Sequence, residues 1–275
     1  MTTPTRAAEP VTPPTPAVAT SGFVAPRDYV LSLERGLAVI QSFGHDAEQM
    51  TLSDVARRTG LSRAAARRFL LTLADLGYVA FDGKRFRLTP RVLGLGYAYL
   101  SSFTLVEVAE PVLERVSART HESCSLSVLD GNDIVYVARV PTKRIMSVSI
   151  SIGTRLPAHA TSMGHVLLAT RPGDTLEAYF RNARLTSFTP RTMANEQALR
   201  TQLTRVAQQG YALVDQELEV GLRSIAVPVR DRSGRVIAAM NVSANAARLP
   251  IADMVRAFLP ELRRGADDLT AALPS

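Results

Sequence analysis

Between Met50 and Asp75 the chain reads MTLSDVARRTGLSRAAARRFLLTLAD, and its two short helical periods leave few ways to fold it. Thr51 or Ser53 can cap a first helix whose apolar side carries Leu52, Val55 and Ala56. In the turn Thr59-Gly60-Leu61, Gly60 supplies a residue able to take the left-handed conformation that ends a helix. Ser62 caps a second helix, on which Ala66, Phe69, Leu70 and Leu73 recur at helical spacing. Small Ala56 and Ala66 let the two helices cross closely. The pattern predicts a helix-turn-helix whose second helix enters a DNA major groove.

The outward residues of that second helix suit this use. Arg63 falls in its first turn, with Ala64, Arg67 and Arg68 away from or flanking the buried side. Arginine forks bind guanine edges or phosphates, and small alanines let a helix sit deep in the groove. Tyr78–Phe81, Asp82-Gly83 and Lys84–Leu88 then read as a hairpin with an Asp-Gly turn. A basic hairpin directly after a recognition helix is a wing, and Lys84, Arg85 and Arg87 are placed to grip the DNA backbone. From Thr51 to Arg91 nine basic residues face three acidic ones, an excess of six against +7 for the whole chain. The basic character is therefore concentrated in the winged region, and Ser62, Arg63, Ala64, Arg67, Arg68, Lys84, Arg85 and Arg87 are the expected DNA contacts.

A length of 275 residues favours two domains, and 46% hydrophobic with 21% charged residues suits a folded chain. The single cysteine, Cys124, excludes an internal disulfide framework. No run of 18 apolar residues and no secretory signal is present, so the expected location is cytoplasmic and no membrane partner is expected.

Residues 1–26 hold six prolines and little to bury, which predicts a disordered tail. Residues 27–89 form the winged domain, with a helix from Asp28 to Phe43 backing the helix-turn-helix through Leu33, Leu37, Ile40 and Phe43. Residues 90–103 form a linker helix, started by Thr89 and Pro90, too apolar to lie in solvent and suited to pairing with a second copy. Residues 104–275 begin with an amphipathic helix over Thr104–Thr120. Strands follow at Ser123–Leu129, Asp133–Val140 and Ile145–Ile152, then helices at Pro157–Ala169, Asp174–Asn182 and Asn195–Gln209. Strands at Tyr211–Val214, Arg223–Arg230 and Val236–Ser243 precede a closing helix over Asp253–Ala272. The class is α+β, with one antiparallel sheet in the second domain.

Four segments in order, SLERGLAVIQSF (Ser32–Phe43), the winged helix-turn-helix, LPAHATSMGHVLLA (Leu156–Ala169) and DQELEVGLRSIAVPVRDRSGRVIAAMNVSA (Asp215–Ala244), resemble the IclR family of bacterial regulators. The resemblance spans roughly residues 28–272. Asp215–Val229 looks closest to the branch controlling protocatechuate, 4-hydroxybenzoate and β-ketoadipate catabolism. It implies a GAF-like C-terminal domain that binds a small carboxylate effector, a double-stranded DNA operator of palindromic form, a homodimer or homotetramer, and no cofactor. The effector residues it implies are Ser162 and Met163 at a helix start, Asp215, Ser224, Asn241 and Ser243. Period two independently puts Asn241 and Ser243 on one face of a strand. Asp215 has the wrong sign for a carboxylate, so it would accept from a ligand hydroxyl or hold a neighbouring arginine. Gly164-His165 replaces a glycine-lysine step common in the family, Asn241 and Ser243 replace a frequent pair of serines, and Met163 is bulkier than in some members.

The remaining polar residues point to no reaction. His121 and Cys124 lack the setting of a nucleophile and base, and no His/Cys cluster has metal-ligand spacing. His159 reads as structural at a helix entrance, His45 and His165 as exposed. Arg155 is either a salt-bridge residue or a carboxylate anchor. The leading reading is a ligand-responsive transcription factor without catalytic or metal residues. A DNA-binding protein with a ligand-free second domain, and an enzyme fused to a DNA-binding domain, are the alternatives.

Overall fold

The structure is a computed structural model that describes residues 28–44, 46–101, 104–142 and 150–273. The expected tail, the expected exposure of His45 and most of the expected strand Ile145–Ile152 lie outside these residues. The chain forms two compact units that divide between Ala98 and Tyr99.

In the first unit, α1 (Leu31–Gln41), α2 (Leu52–Thr59) and α3 (Arg63–Asp75) precede a hairpin of β1 (Val79–Phe81) and β2 (Phe86–Leu88). Thr51 and Asp54 form a reciprocal cap on α2, and Gly60 ends that helix at φ 68°. The Ser62 hydroxyl accepts the Ala65 amide at 3.2 Å to start α3. Val39, Val55, Ala56, Ala66, Leu70, Val79 and Phe86 make the core. Backbone bonds between Met50 and Phe86, 2.8 and 3.0 Å, tie the wing to the start of α2.

Three local expectations change here. Val39 is the fully buried residue of α1, while Leu33 and Leu37 are 62% and 46% exposed. Apolar residues lie on more than one side of α1, so periodicity alone cannot choose the inward one. Phe81 pairs with Phe86, so Asp82–Arg85 forms a four-residue loop rather than a two-residue turn. The Asp82 carboxylate organises it, accepting the Lys84 and Arg85 amides at 2.8 and 2.7 Å. Lys84 and Arg85 therefore sit at the wing tip, not on a strand. The helix expected from Pro90 begins as a 3-10 turn, Pro90–Val92, before α4 (Leu93–Ser101). Leu93, Leu95, Tyr97 and Tyr99 are all exposed on α4.

In the second unit, α5 (Thr104–Thr120) leads into β3 (Ser123–Asp130), β4 (Asp133–Val140) and β5 (Arg155–Pro157). After α6 (Ser162–Ala169), α7 (Gly173–Asn182) and α8 (Glu196–Gln209) come β6 (Ala212–Asp215), β7 (Leu222–Arg230), β8 (Val236–Asn245) and α9 (Ile251–Ala272). The six strands run antiparallel in the order β5-β4-β3-β8-β7-β6. Strand period sends Cys124, Leu126, Ile225, Val227, Met240 and Val242 to one face, under α5 and α9. Ile134, Ala226 and Ala239 face the other way, under α6 and α8. The strand next to β4 is β5, of which Arg155 and Leu156 fall between the expected elements and Pro157 at the expected start of the next helix. Among the described residues no helix is long and apolar enough to cross a membrane.

The helix expected over Pro157–Ala169 is broken. Ala158–Ala160 form a 3-10 turn, Thr161 is extended, and α6 starts at Ser162. Gly164 makes this possible, since a Cβ there would overlap the backbone of Ala158. His165, expected at the surface, is fully buried because α6 is covered on every side. Its Nε2–H donates to the carbonyl of His159 at 2.6 Å, and its Nδ1 has no partner. Burial pushes its pKa down to about 4. His159 is buried too and bonds the Thr186 carbonyl at 2.9 Å, as a structural residue does.

A histidine depressed from 6.5 to about 4 binds fewer protons folded than unfolded. Its stabilising contribution is complete above pH 6.5 and is lost as pH falls towards 4. Between pH 7 and 5 the native protein should lose about 2 kcal/mol more than His165→Gln in denaturant titrations. Equal losses in both proteins would show that His165 protonates freely.

Candidate DNA-reading surface and effector pocket

On the first unit, Ser62, Arg63, Ala64, Arg67 and Arg68 are all exposed along α3, opposite buried Ala66, Leu70 and Leu73. Arg57 and Arg58 are neutralised by Asp54 and Asp46 at 2.7 and 3.0 Å. Arg63, Arg67 and Arg68 have no such pair among the described residues, so their charge is free for a polyanion. Lys84 and Arg85 stand exposed at the wing tip, and Arg87 points outward between inward Phe86 and Leu88. Arg91, part of the same basic excess, instead lies over the Tyr78 ring at 5.4 Å. The surface is a helix with unpaired arginines beside a basic hairpin, a geometry suited to a groove flanked by phosphates.

On the second unit a small, partly open cavity, about 30 Å³, lies between the sheet, the start of α6 and the segment leading into β7. Ser162, Ser224, Asn241 and Ser243 line it together with Tyr136, Arg139, Leu218 and Leu222. Ser224 donates to Ser162 at 2.8 Å, which joins β7 to the start of α6. Asn241 Nδ2 donates to Ser243 Oγ at 3.1 Å, so these two residues do share a face. Thr161 caps α6 by accepting the Gly164 amide at 3.1 Å.

Met163 and Asp215 sit outside the lining. Met163 is buried, its sulfur accepting the Ser127 hydroxyl at 3.2 Å. The Asp215 carboxylate is held by Arg223, 2.7 Å away, and by Arg191. Of its two expected uses, holding an arginine is the one present. Arg155 pairs with Asp130 and Asp133 at 2.5 and 3.3 Å, which makes it a salt-bridge residue. Cys124 is buried in the apolar layer, where desolvation pushes its thiol well up, away from a reactive thiolate. Among the described residues no group of His, Cys, Asp or Glu could hold a metal ion.

The residue that sequence reading missed is Arg139. It is half-buried in β4, its Nη1 donates to Ser125 at 3.0 Å, and its buried Nε has no partner. Burial lowers its pKa, and no carboxylate pairs with it among the described residues. A lone arginine in the otherwise apolar run IVYVARV was the available signal. Tyr136 beside it is buried, with its phenol pushed up to about 12 by desolvation. The cavity therefore offers one uncompensated cation, hydroxyls and an amide to whatever enters, which suits a small anion.

Comparison with known proteins agrees with both halves. The IclR helix-turn-helix domain matches residues 32–83, and the bacterial transcriptional regulator IclR C-terminal domain matches residues 97–271. A Pca regulon regulatory protein of Pseudomonas putida is 45% identical over 255 residues, 92% of this chain and 88% of its own. The p-hydroxybenzoate hydroxylase transcriptional activator of Acinetobacter baylyi is 39% identical over 247 residues, 88% of this chain and 91% of its own. The crystal structure of an IclR homolog from Microbacterium hydrocarbonoxydans, complexed with 4-hydroxybenzoate, superposes with a TM-score of 0.77 at 28% identity, covering 87% of this chain and 98% of that one. A winged helix-turn-helix followed by this α+β domain, with both family models matched in order, places the protein in the IclR family of bacterial transcriptional regulators.

Proposed function

We infer that the protein is an effector-responsive regulator of aromatic-acid catabolic genes, acting on DNA in the cytoplasm. Its C-terminal unit binds a small carboxylate, of the class of protocatechuate, 4-hydroxybenzoate or β-ketoadipate, and binding alters how the N-terminal unit engages its operator. The observation that carries the reading is Arg139: a half-buried guanidinium with its Nε unpartnered and no carboxylate beside it, at the wall of a cavity. Such a charge is costly until an anion meets it. Ser162 at the start of α6, with Ser224 and Ser243, adds hydroxyls to the same space. A cavity of about 30 Å³ is smaller than these acids, so entry moves apolar side chains such as Leu218, Leu222 and Ile150. The names of the Pseudomonas and Acinetobacter relatives and the ligand of the Microbacterium homolog support this choice of acid.

The same reading makes the protein at least a two-fold dimer on a palindromic operator, since two half-sites give the specificity that one winged domain lacks. Exposed Leu93, Leu95 and Tyr97, with Leu33 and Leu37, support a self-association surface.

Replacing both Arg63 and Arg67 by Ala should cost about 1–3 kcal/mol per base contact and relax sequence preference in operator titrations. Lys84→Ala with Arg85→Ala should weaken all sequences alike and flatten the salt dependence. Unchanged operator binding in the first double variant would remove α3 as the reading helix. For the effector, Arg139→Gln should weaken binding of every acid at least tenfold by calorimetry, while operator binding of the free protein persists. Undiminished affinity would place the anion elsewhere.

A further inference from the structure

The chain leaves the winged domain at Thr89, and three contacts fasten it there to the end of the reading helix. The Thr89 amide donates to the Tyr78 carbonyl at 2.9 Å. Its hydroxyl donates to the Gly77 carbonyl at 2.6 Å. Two residues on, the Arg91 guanidinium lies over the Tyr78 ring at 5.4 Å. Gly77 admits it, since a Cβ there would stand only 3.3 Å from Arg91 Nη1. Tyr78 is bound in turn to α3, its amide donating to the Leu73 carbonyl at 2.8 Å. The wing, residues 79–88, is a loop inserted between the two sides of this clasp. The start of α4 is therefore tied to α3 directly, and not only by way of the hairpin.

The first turns of α4 have little else to steady them against the winged domain. Leu93 and Tyr97 are 74% and 70% exposed, and Leu95 is 49% exposed. A Cβ placed on Gly94 or Gly96 would meet no atom within 4 Å. Successive residues of an α-helix point about 100° apart, so these five sample every side of it. The direction in which α4 departs is thus set by the residues just before it. Pro90 fixes its own φ, and the Thr89 hydroxyl also accepts the Arg91 amide at 3.3 Å, so the turn Pro90–Val92 is firmly closed. What the side chains of Thr89 and Arg91 control is the angle between that turn and α3.

In a two-fold dimer paired through α4, this angle decides where the two copies of α3 arrive on DNA. Moving one half-site by a single base pair shifts it by about 3.4 Å and turns it by about 34° around the duplex. A hinge at residue 89 would absorb such a change, and a clasped joint does not. We propose that Thr89 and Arg91 are positioning residues for operator recognition. By clasping the start of α4 to Gly77 and Tyr78 they fix the half-site spacing that the protein accepts, while α3 reads the bases within each half-site. This rests on the reading of the protein as a two-fold dimer.

The test is selection of bound duplexes from a random DNA library by the full-length protein, sequenced for half-site sequence and spacing. The native protein should select one spacing, with spacings one base pair longer or shorter depleted at least about tenfold. Thr89→Val with Arg91→Ala should select the same half-site sequence at several spacings, neighbouring ones within about threefold of each other. Thr89→Ser keeps the hydroxyl and should select as the native protein does. Residues that only stabilised the domain would lower binding without broadening the spacing. A single, unchanged spacing in the double variant overturns the clasp. If binding then falls uniformly, Arg91 is a phosphate contact instead. Several spacings selected by the native protein also overturn it. Selected duplexes carrying one half-site alone would remove the two-fold reading itself, and the inference with it. Arg91→Ala alone truncates an exposed side chain, and it should broaden the spacing in the same direction even where the double variant does not fold.

Discussion

A guanidinium partly withdrawn from water is stabilised by a counter-charge or a full set of acceptors, and half-buried Arg139 has neither among the described residues of its own domain. Much of the second unit can be understood around that fact. The sheet is sealed by apolar layers on both faces, and on the inner face the polar side chains of Arg139, Ser125, Asn241, Ser243 and Ser224 interrupt the seal side by side. Several other charges of the unit are neutralised by a partner. Asp215 is clasped by two arginines, Arg223 also donates to the carbonyls of Ala246 and Leu249, and Glu122 is met by Arg248. Against that background an unpaired cation at a cavity wall reads as a place kept for an anion.

The segment that closes the cavity has its own signs of tension. Gln216 is a non-glycine residue at φ 63°, and its side chain accepts the Gly221 amide at 3.0 Å to hold the turn. Glu217, next to it, is buried with one carboxylate oxygen unpaired, and desolvation raises its pKa to about 7. Leu218 and Leu222 follow, both lining the cavity. The Thr189 and Thr192 hydroxyls bond the Glu217 carbonyl at 3.4 and 2.5 Å and keep the turn against the body of the domain.

Much of this architecture is legible in the sequence because it is written in short-range chemistry. Caps, helical periods and Gly60 define the helix-turn-helix, and alternation defines β7 and β8. What escapes are features decided by distant neighbours. His165 looks like an exposed helical residue until α6 is seen to be covered all round, and α1 has apolar residues on too many sides for its buried face to be chosen. The wing loop is lengthened by the Asp82 side chain capturing two amides, a competition that the Asp-Gly signal hides. Arg139 escapes for a related reason. Its meaning lies in the absence of a counter-charge among its sheet neighbours, which the register and the hydrogen bonds display together.

The most direct measurement of the central claim is a crystal structure of the full-length protein with 4-hydroxybenzoate bound. The account predicts the acid between the sheet and the start of α6, its carboxylate within hydrogen-bond distance of the Arg139 guanidinium, with Leu218 and Leu222 displaced. A ligand bound outside this cavity, or inside it with the carboxylate turned away from an Arg139 that remains without a counter-charge, would contradict it.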